Sequence, residues 1–254
     1  LVPTTAGTGS EVTPISIITQ DDDQKKGVSS SIILPDLAVL DPELTLGLPK
    51  DITAATGIDA MVHAIEAYTS INHNNNPISK ILAIESLKLL GSSIENAVFD
   101  GQNVEARSNM LLGSMMAGQA FANSPVSAVH ALAYPIGGIF HISHGLSNSL
   151  VLPHVLKFNS NNAKACEQYA FLAPFIFKDI NLNTNTETIC NDFIEKLENL
   201  SSLLNIPTKL RELDIPKEAC DKMAKESMKQ TRLLVNNPRE VTEEDAFNIY
   251  SAAW

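Results

Sequence analysis

Ala54-Ala55-Thr56-Gly57-Ile58-Asp59-Ala60-Met61-Val62-His63-Ala64-Ile65-Glu66-Ala67-Tyr68 is the stretch on which the reading of this chain turns. Asp59 and His63 stand at i and i+4, so on a helix they share one face and can reach the same ion. The next turn presents Glu66 or Ala67 on or near that face. Such a pair on its own is more often surface hydrogen bonding than a metal site. From Asp51 onward the pattern is helical throughout. Ile78, Leu82, Leu87, Leu90 and Ile94 recur at the intervals that one helix face requires. Gly101, Asn123-Ser124-Pro125, Pro153, Asn159 to Asn162 and Pro207 punctuate further helices. Phe193, Ile194, Leu197, Leu200 and Leu204 make another apolar face after Cys190. Val241-Thr242-Glu243-Glu244 reads as the start of a last helix, with Thr242 as its N-cap and acids in its first turn.

Upstream the pattern differs. Ile15-Ser16-Ile17-Ile18-Thr19 and Ala38-Val39-Leu40 are short β-prone runs, separated by turn-rich Asp21-Asp22-Asp23 and Pro35-Asp36. The expectation is a mostly α chain: the end of an α/β unit over residues 1–49, then an all-helical domain over 50–254. Two or three strands make no stable sheet alone, so a missing upstream portion is expected. The chain also opens on Leu1-Val2-Pro3 without an initiating Met.

Composition narrows the function classes. The chain has 254 residues, 44% of them hydrophobic and 19% charged, as folded domains do. Its net charge of −11 argues against nucleic acid and anionic membrane as partners, since both call for clustered positive charge. Cys166, Cys190 and Cys220 are far apart in sequence and suit a reducing, cytoplasmic setting better than a disulfide framework. The run Tyr169 to Phe177 contains Pro174 and is far shorter than the roughly 20 residues that cross a bilayer.

Two further stretches carry chemistry. His130-Ala131-Leu132-Ala133-Tyr134-Pro135-Ile136-Gly137-Gly138-Ile139-Phe140-His141-Ile142-Ser143-His144-Gly145 places three of the chain's 6 histidines close together in an apolar setting. Buried imidazoles need a hydrogen bond or a metal. Pro135 and Gly137-Gly138 are expected to break the helix after Tyr134 and return His144 toward His130. Taken alone, the stretch reads as a turn with core histidines satisfied by backbone. Taken with Asp59 and His63, it offers three imidazoles and one carboxylate, which suit Fe²⁺ or Zn²⁺; Mg²⁺ or Ca²⁺ would call for more oxygens. Pro3-Thr4-Thr5-Ala6-Gly7-Thr8-Gly9-Ser10-Glu11-Val12-Thr13 offers hydroxyls and backbone N–H groups to a phosphate or ribose. It is neither a Walker loop nor GxGxxG, and alone it reads as an ordinary Ser/Thr-rich loop.

In the order TTAGTGSEVT, LPDLAVLDPELTLGLP, AATGIDAMVHAIEAY and VHALAYPIGGIFHISHGLSNSLVLPHV, with IYSAAW at the end, the chain resembles the iron-containing (group III) alcohol dehydrogenases. The resemblance implies a dehydroquinate synthase-like fold. In it a Rossmann-like α/β domain binds NAD or NADP, and an all-helical domain holds the metal. The family's ligands fall on Asp59, His63, His130 and His144. Its cofactor loop falls on Thr4, Thr5, Ala6, Gly7 and Thr8, a lysine beside the nicotinamide ribose on Lys25 or Lys26, and a further cofactor-lining segment on Leu44, Thr45, Leu46, Gly47 and Leu48. Many members carry a second histidine four residues after the third ligand; here Tyr134 takes its place. The family's upstream glycine-rich pyrophosphate loop is not in this chain.

The implied activity is hydride transfer between an alcohol and NAD(P), giving an aldehyde or ketone and the reverse. Fe²⁺ or Zn²⁺ serves as Lewis acid in that reaction, and the enzyme is expected to be a homodimer. The chain without the cofactor loop is expected to be inactive. Tyr134 and His141 are candidates for proton transfer, and Phe121 and Phe140 for an apolar substrate wall. The alternatives are a glycerol-dehydrogenase-like or dehydroquinate-synthase-like metalloenzyme, or a non-catalytic metal-binding helical fragment. The remaining residues of note have structural readings: His73 in a solvated loop, His154 in support, and Trp254 in packing.

Overall fold

Pro49 leads the chain into helix α1 (Lys50–Thr69), with Asp51 in its first turn. The computed structural model describes residues 1–19 and 25–254, and of Thr19, Lys25 and Lys26 only the backbone. The Asp21-Asp22-Asp23 turn therefore lies outside the described residues. So do the side chains of Lys25 and Lys26.

Helix α1 is apolar and small on nearly all sides because it sits at the centre. Helices α2 (Pro77–Phe99), α3 (Val104–Asn123) and α5 (His144–Asn159) surround it. Helix α4 (Ala128–Phe140) packs on α5. Then follow α6 (Ala163–Ile176), α7 (Thr186–Leu203), α8 (Ala219–Ser227), the single turn α9 (Thr231–Leu234) and α10 (Glu243–Ala253). No described helix is long and apolar enough to cross a membrane.

Local chemistry sets several boundaries. Asn76 caps α2 in a reciprocal box with Ser79, and Pro77 follows at the first helical position. Thr242 caps α10 as its sequence indicates, in a box closed by Asp245. The face of α7 is buried at Phe193, Ile194, Leu197 and Leu200. On α2, Leu87, Leu90 and Ile94 are buried, but Ile78 is exposed because the buried face runs through Ser79 and Ala83 and leaves Ile78 beside it.

Three expectations need correction. Helix α4 does not break after Tyr134; it runs through Pro135 and Gly137-Gly138 and ends at His141, whose φ of 56° is left-handed. Surrounding packing outweighs the lost backbone bond. Pro135 is buried, and Tyr250 Oη donates to the Leu132 carbonyl at 2.6 Å, one turn back. Pro153 likewise sits inside α5 rather than ending a helix. Ala38-Val39-Leu40 is not a strand. Among the described residues its backbone partner is the first residue: Val39 N donates to Leu1 O, and the Leu1 amine donates to Leu37 O.

The described strands are β1 (Ile15–Thr19) and β2 (Lys25–Ser29). They form one antiparallel hairpin with Ile15 opposite Ser29. The segment before β1 packs on α3 and, at Gly7, on α1 beside Thr56 and His63.

Candidate metal centre

Asp59 and His63 project from the middle of α1, His130 from the first turn of α4, and His144 from the first residue of α5. One ligand atom from each lies within 4.8 Å of all the others. His130 Nε2 is 3.8 Å and His144 Nε2 3.7 Å from Asp59 Oδ1. The rings of His63 and His130 stack at 4.7 Å between centroids, and those of His130 and His144 lie 5.3 Å apart.

Gly145 makes this convergence possible. A side chain there would run into the Ala55 carbonyl of α1, so glycine lets the start of α5 lie directly on α1. His144 is thereby carried to Asp59. The expected return of His144 toward His130 does occur, but by a turn at residues 141–143 rather than by a break inside α4.

In His63 and His130 the other ring nitrogen is occupied, and this fixes which atom of these two imidazoles faces the centre. His63 Nδ1–H donates to the Gly7 carbonyl at 3.1 Å, leaving Nε2 as the free lone pair. His130 Nδ1–H donates to Glu66 Oε2 at 2.6 Å. Its Nε2 is buried and makes no hydrogen bond. Leaving a buried imidazole nitrogen unpaired costs about 1–3 kcal/mol, a cost a bound cation removes. Glu66 also accepts from Ser127 Oγ at 2.8 Å and the Val129 N–H at 2.7 Å, so it holds the start of α4 as well as the ring. Asn148, one turn after His144, donates to Asp59 Oδ1 at 2.6 Å and lies 3.3 Å from His144 Nε2.

These contacts set the charge states. Burial by itself would raise the Asp59 carboxyl; the charges of His144, His63 and His130 and the Asn148 hydrogen bond hold it below its ordinary value. Glu66 is governed the same way: burial raises it, and its bonds to His130, Ser127 and the backbone bring it below normal. Burial pushes His63 down to about 4, so its ring is neutral near pH 7. Two carboxylates and a neutral imidazole are what a divalent cation requires of its surroundings. Three nitrogens and one oxygen match Fe²⁺ or Zn²⁺ better than Mg²⁺.

The centre opens into a cleft of about 560 Å³. His63, His130 and His144 form its floor. Thr8, Phe121, Val126, Tyr134, Arg232 and Leu233 stand around it. Phe121 stacks on His63 at 4.5 Å, and the Tyr134 ring lies 6.0 Å from that of His144. Burial raises the Tyr134 hydroxyl above its ordinary value, and the charge of Arg232 partly opposes this.

The candidate residues from the sequence divide accordingly. Asp59, His63, His130, His144, Tyr134 and Phe121 come together here. Of the threonine-rich loop, Thr8 lines the cleft and Gly7 supports His63, while Thr4, Thr5 and Ala6 do not line it. Leu44 to Leu48 lie elsewhere, around a 3-10 turn that packs on α3. There Gln102 donates to the Leu46 carbonyl and Arg107 to that of Leu48. His141 and Phe140 do not line the cleft, and His141 is exposed. His73 is exposed, and Trp254 donates from Nε1 to the Ile215 carbonyl.

Sequence reading did not identify Glu66, Asn148 and Arg232 as site residues. For the first two there were traces: a carboxylate one turn beyond His63 in an apolar helix, and an amide four residues after His144.

The wider comparisons agree with one another. The C-terminal model of the Fe-containing alcohol dehydrogenase family matches residues 53–254, and the model described as iron-containing alcohol dehydrogenase matches residues 1–42. The whole chain is 40% identical to "Long-chain-alcohol dehydrogenase 1" of Geobacillus thermodenitrificans, covering 63% of it. It is 35% identical to the "1,3-propanediol dehydrogenase" of Citrobacter freundii, covering 64%. The solved structure of a 1,3-propanediol oxidoreductase superposes on all of it with a TM-score of 0.93 at 34% identity, and the chain covers 65% of that structure. An alcohol dehydrogenase from Oenococcus oeni gives the same TM-score at 36% identity and the same coverage. The chain thus spans just under two thirds of the length of these relatives, and over that span it belongs to the iron-containing alcohol dehydrogenase family.

Proposed function

We propose that the chain is the metal-holding part of an NAD(P)-dependent alcohol dehydrogenase, which moves a hydride between an alcohol carbon and nicotinamide. In this reading residues 50–254 are the catalytic metal domain, and residues 1–49 are the end of the cofactor domain. Asp59, His63, His130 and His144 hold Fe²⁺, or Zn²⁺ in its place. The observation that carries it is the unpaired Nε2 of buried His130, facing Asp59 Oδ1 while its Nδ1 is fixed by Glu66.

When bound, the cation supplies Lewis acidity that makes the substrate hydroxyl easier to deprotonate. The chain's own residues do the rest. Glu66 and the Gly7 carbonyl orient two imidazoles, so no reorganisation is needed when substrate arrives. Phe121 and Val126 exclude water from one side of the cleft. Thr8 places a hydroxyl at its rim, and with Lys25 or Lys26 it would hold the nicotinamide nucleotide. Tyr134 stands beside His144 inside the cleft and is the preferred proton carrier over exposed His141. The relatives named as long-chain-alcohol and 1,3-propanediol dehydrogenases support an alcohol and the corresponding aldehyde as substrates, without fixing the chain length.

The test uses the full chain as its gene encodes it: metal analysis together with NADH or NADPH formation on a panel of primary alcohols. The expected result is near-stoichiometric iron or zinc and alcohol-dependent reduction of one nucleotide. A protein that binds metal but reduces neither nucleotide with any alcohol would instead favour a non-catalytic metal-binding role.

A further inference from the structure

Arg232, on the short turn α9, extends into the same cleft as His63, His130 and His144. Asn236 ties this turn to the cleft wall by donating from Nδ2 to both the Arg232 and the Val126 carbonyls at 3.0 Å. The guanidinium lies against the β1–β2 hairpin. A Cβ on Gly27 would come within 3.2 Å of Arg232 Nη2 and 3.3 Å of Ile17 Cδ1, so the hairpin backbone passes close to the cation here.

Two features make this placement chemically informative. Among the described residues no carboxylate lies within 4.0 Å of Arg232. Among the described residues it is also the single Arg or Lys lining the cleft, beside apolar Phe121, Val126 and Leu233. A guanidinium in such a setting is matched by a planar anion that accepts two parallel N–H bonds. The guanidinium fork and the two oxygens of a carboxylate match in number and spacing.

We propose that Arg232 is a specificity-determining residue that binds the carboxylate of an ω-hydroxy carboxylate, or of the matching aldehyde acid. The hydroxyl or aldehyde end is directed to the Asp59–His63–His130–His144 cluster. This rests on the dehydrogenase reading above and narrows it to substrates with a monoanionic tail. The apolar wall between the two ends takes the methylene chain. Oxidation follows the parent reaction unchanged: the alcohol carbon loses a hydride to nicotinamide and the oxygen a proton, and the carboxylate takes no part in bond making.

The experiment measures kcat and KM of the full chain for ω-hydroxy carboxylates of three to six carbons and for the neutral primary alcohols of equal length. It does so in wild type, Arg232→Met, Arg232→Lys, Gly27→Val and, as a distant control, Lys225→Met. We expect wild type to prefer one of the hydroxy carboxylates. In Arg232→Met the ratio of kcat/KM for that acid to kcat/KM for its neutral counterpart falls by about tenfold or more, through KM. Arg232→Lys restores part of the ratio, Gly27→Val lowers it, and Lys225→Met leaves it unchanged. Wild-type turnover of neutral alcohols alone, an unchanged ratio in Arg232→Met, or an effect confined to the KM for the nucleotide would each overturn the assignment of Arg232. A wild-type protein that oxidises no alcohol would overturn the dehydrogenase reading, and this proposal with it.

Discussion

Glu66 Oε2 lies 2.6 Å from His130 Nδ1, deep in the interior, and so a carboxylate from the centre of α1 aims an imidazole from α4 at the Asp59 side chain. The pair spans 64 positions of sequence. It joins two of the three helices, α1, α4 and α5, that must be in register for the four-residue cluster to exist.

Replacing Glu66 by Gln keeps the shape and removes the charge. The expected outcome is a 10–100-fold loss of metal affinity, about what loss of an outer carboxylate costs a metal-bound histidine. Titration of metal-free protein with Fe²⁺ or Zn²⁺ under a chelator buffer checks it. Retention of wild-type affinity would mean that Glu66 is only a structural acceptor for Ser127 and Val129.

Asn148→Ala removes the donor to Asp59 Oδ1. Burial then raises the Asp59 carboxyl with less opposition, so its pKa moves up. Protons therefore compete with metal at higher pH, and the midpoint of acid-induced metal release shifts upward relative to wild type. Metal content after equilibration across pH 4 to 7 measures the shift.

Gly145→Ala places a methyl group against the Ala55 carbonyl, where backbone has to move. The expected cost is about 1–3 kcal/mol of stability, as for other overpacked sites. Because His144 is the preceding residue, metal affinity falls as well. Denaturant unfolding and metal titration on the same sample separate the two effects.

His154 gives a pH dependence unrelated to the metal centre. Burial pushes its imidazole down to about 4, with Lys209 next in effect, and its Nε2 is buried without a partner. The unfolded chain takes up this proton near pH 6.5 and the folded chain only near 4. Stability is therefore full above about 6.5 and declines as pH falls toward 4, by up to about 3 kcal/mol. In His154→Leu the loss between pH 6.5 and 4 should shrink by a corresponding amount, as read from urea midpoints at several pH values.

Much of the centre was legible because its residues carry their meaning in spacing. The i, i+4 pair Asp59–His63 needs only α1 to be helical, and the apolar surroundings of His130 and His144 mark them as unusual. The N-cap at Thr242 was legible for the same local reason. Contacts between elements were not: that Glu66 turns toward α4 rather than solvent depends on how α1 and α4 pack. Pro135 and Pro153 read as breaks because their local cost is plain, whereas the packing that overrides it is tertiary. Arg232 follows a run of polar residues and reads as a solvated charge. Only the hairpin and Gly27 show that it enters the cleft.

The most direct measurement is the metal content of the full-length protein and of its His130→Ala and His144→Ala variants, by elemental analysis on folded, gel-filtered samples. The account predicts iron or zinc near one equivalent in the wild type. Each variant should lose that metal and its turnover while circular dichroism and NAD binding are kept. Unchanged metal content in either variant would contradict the assignment of Asp59, His63, His130 and His144 as the metal-holding set.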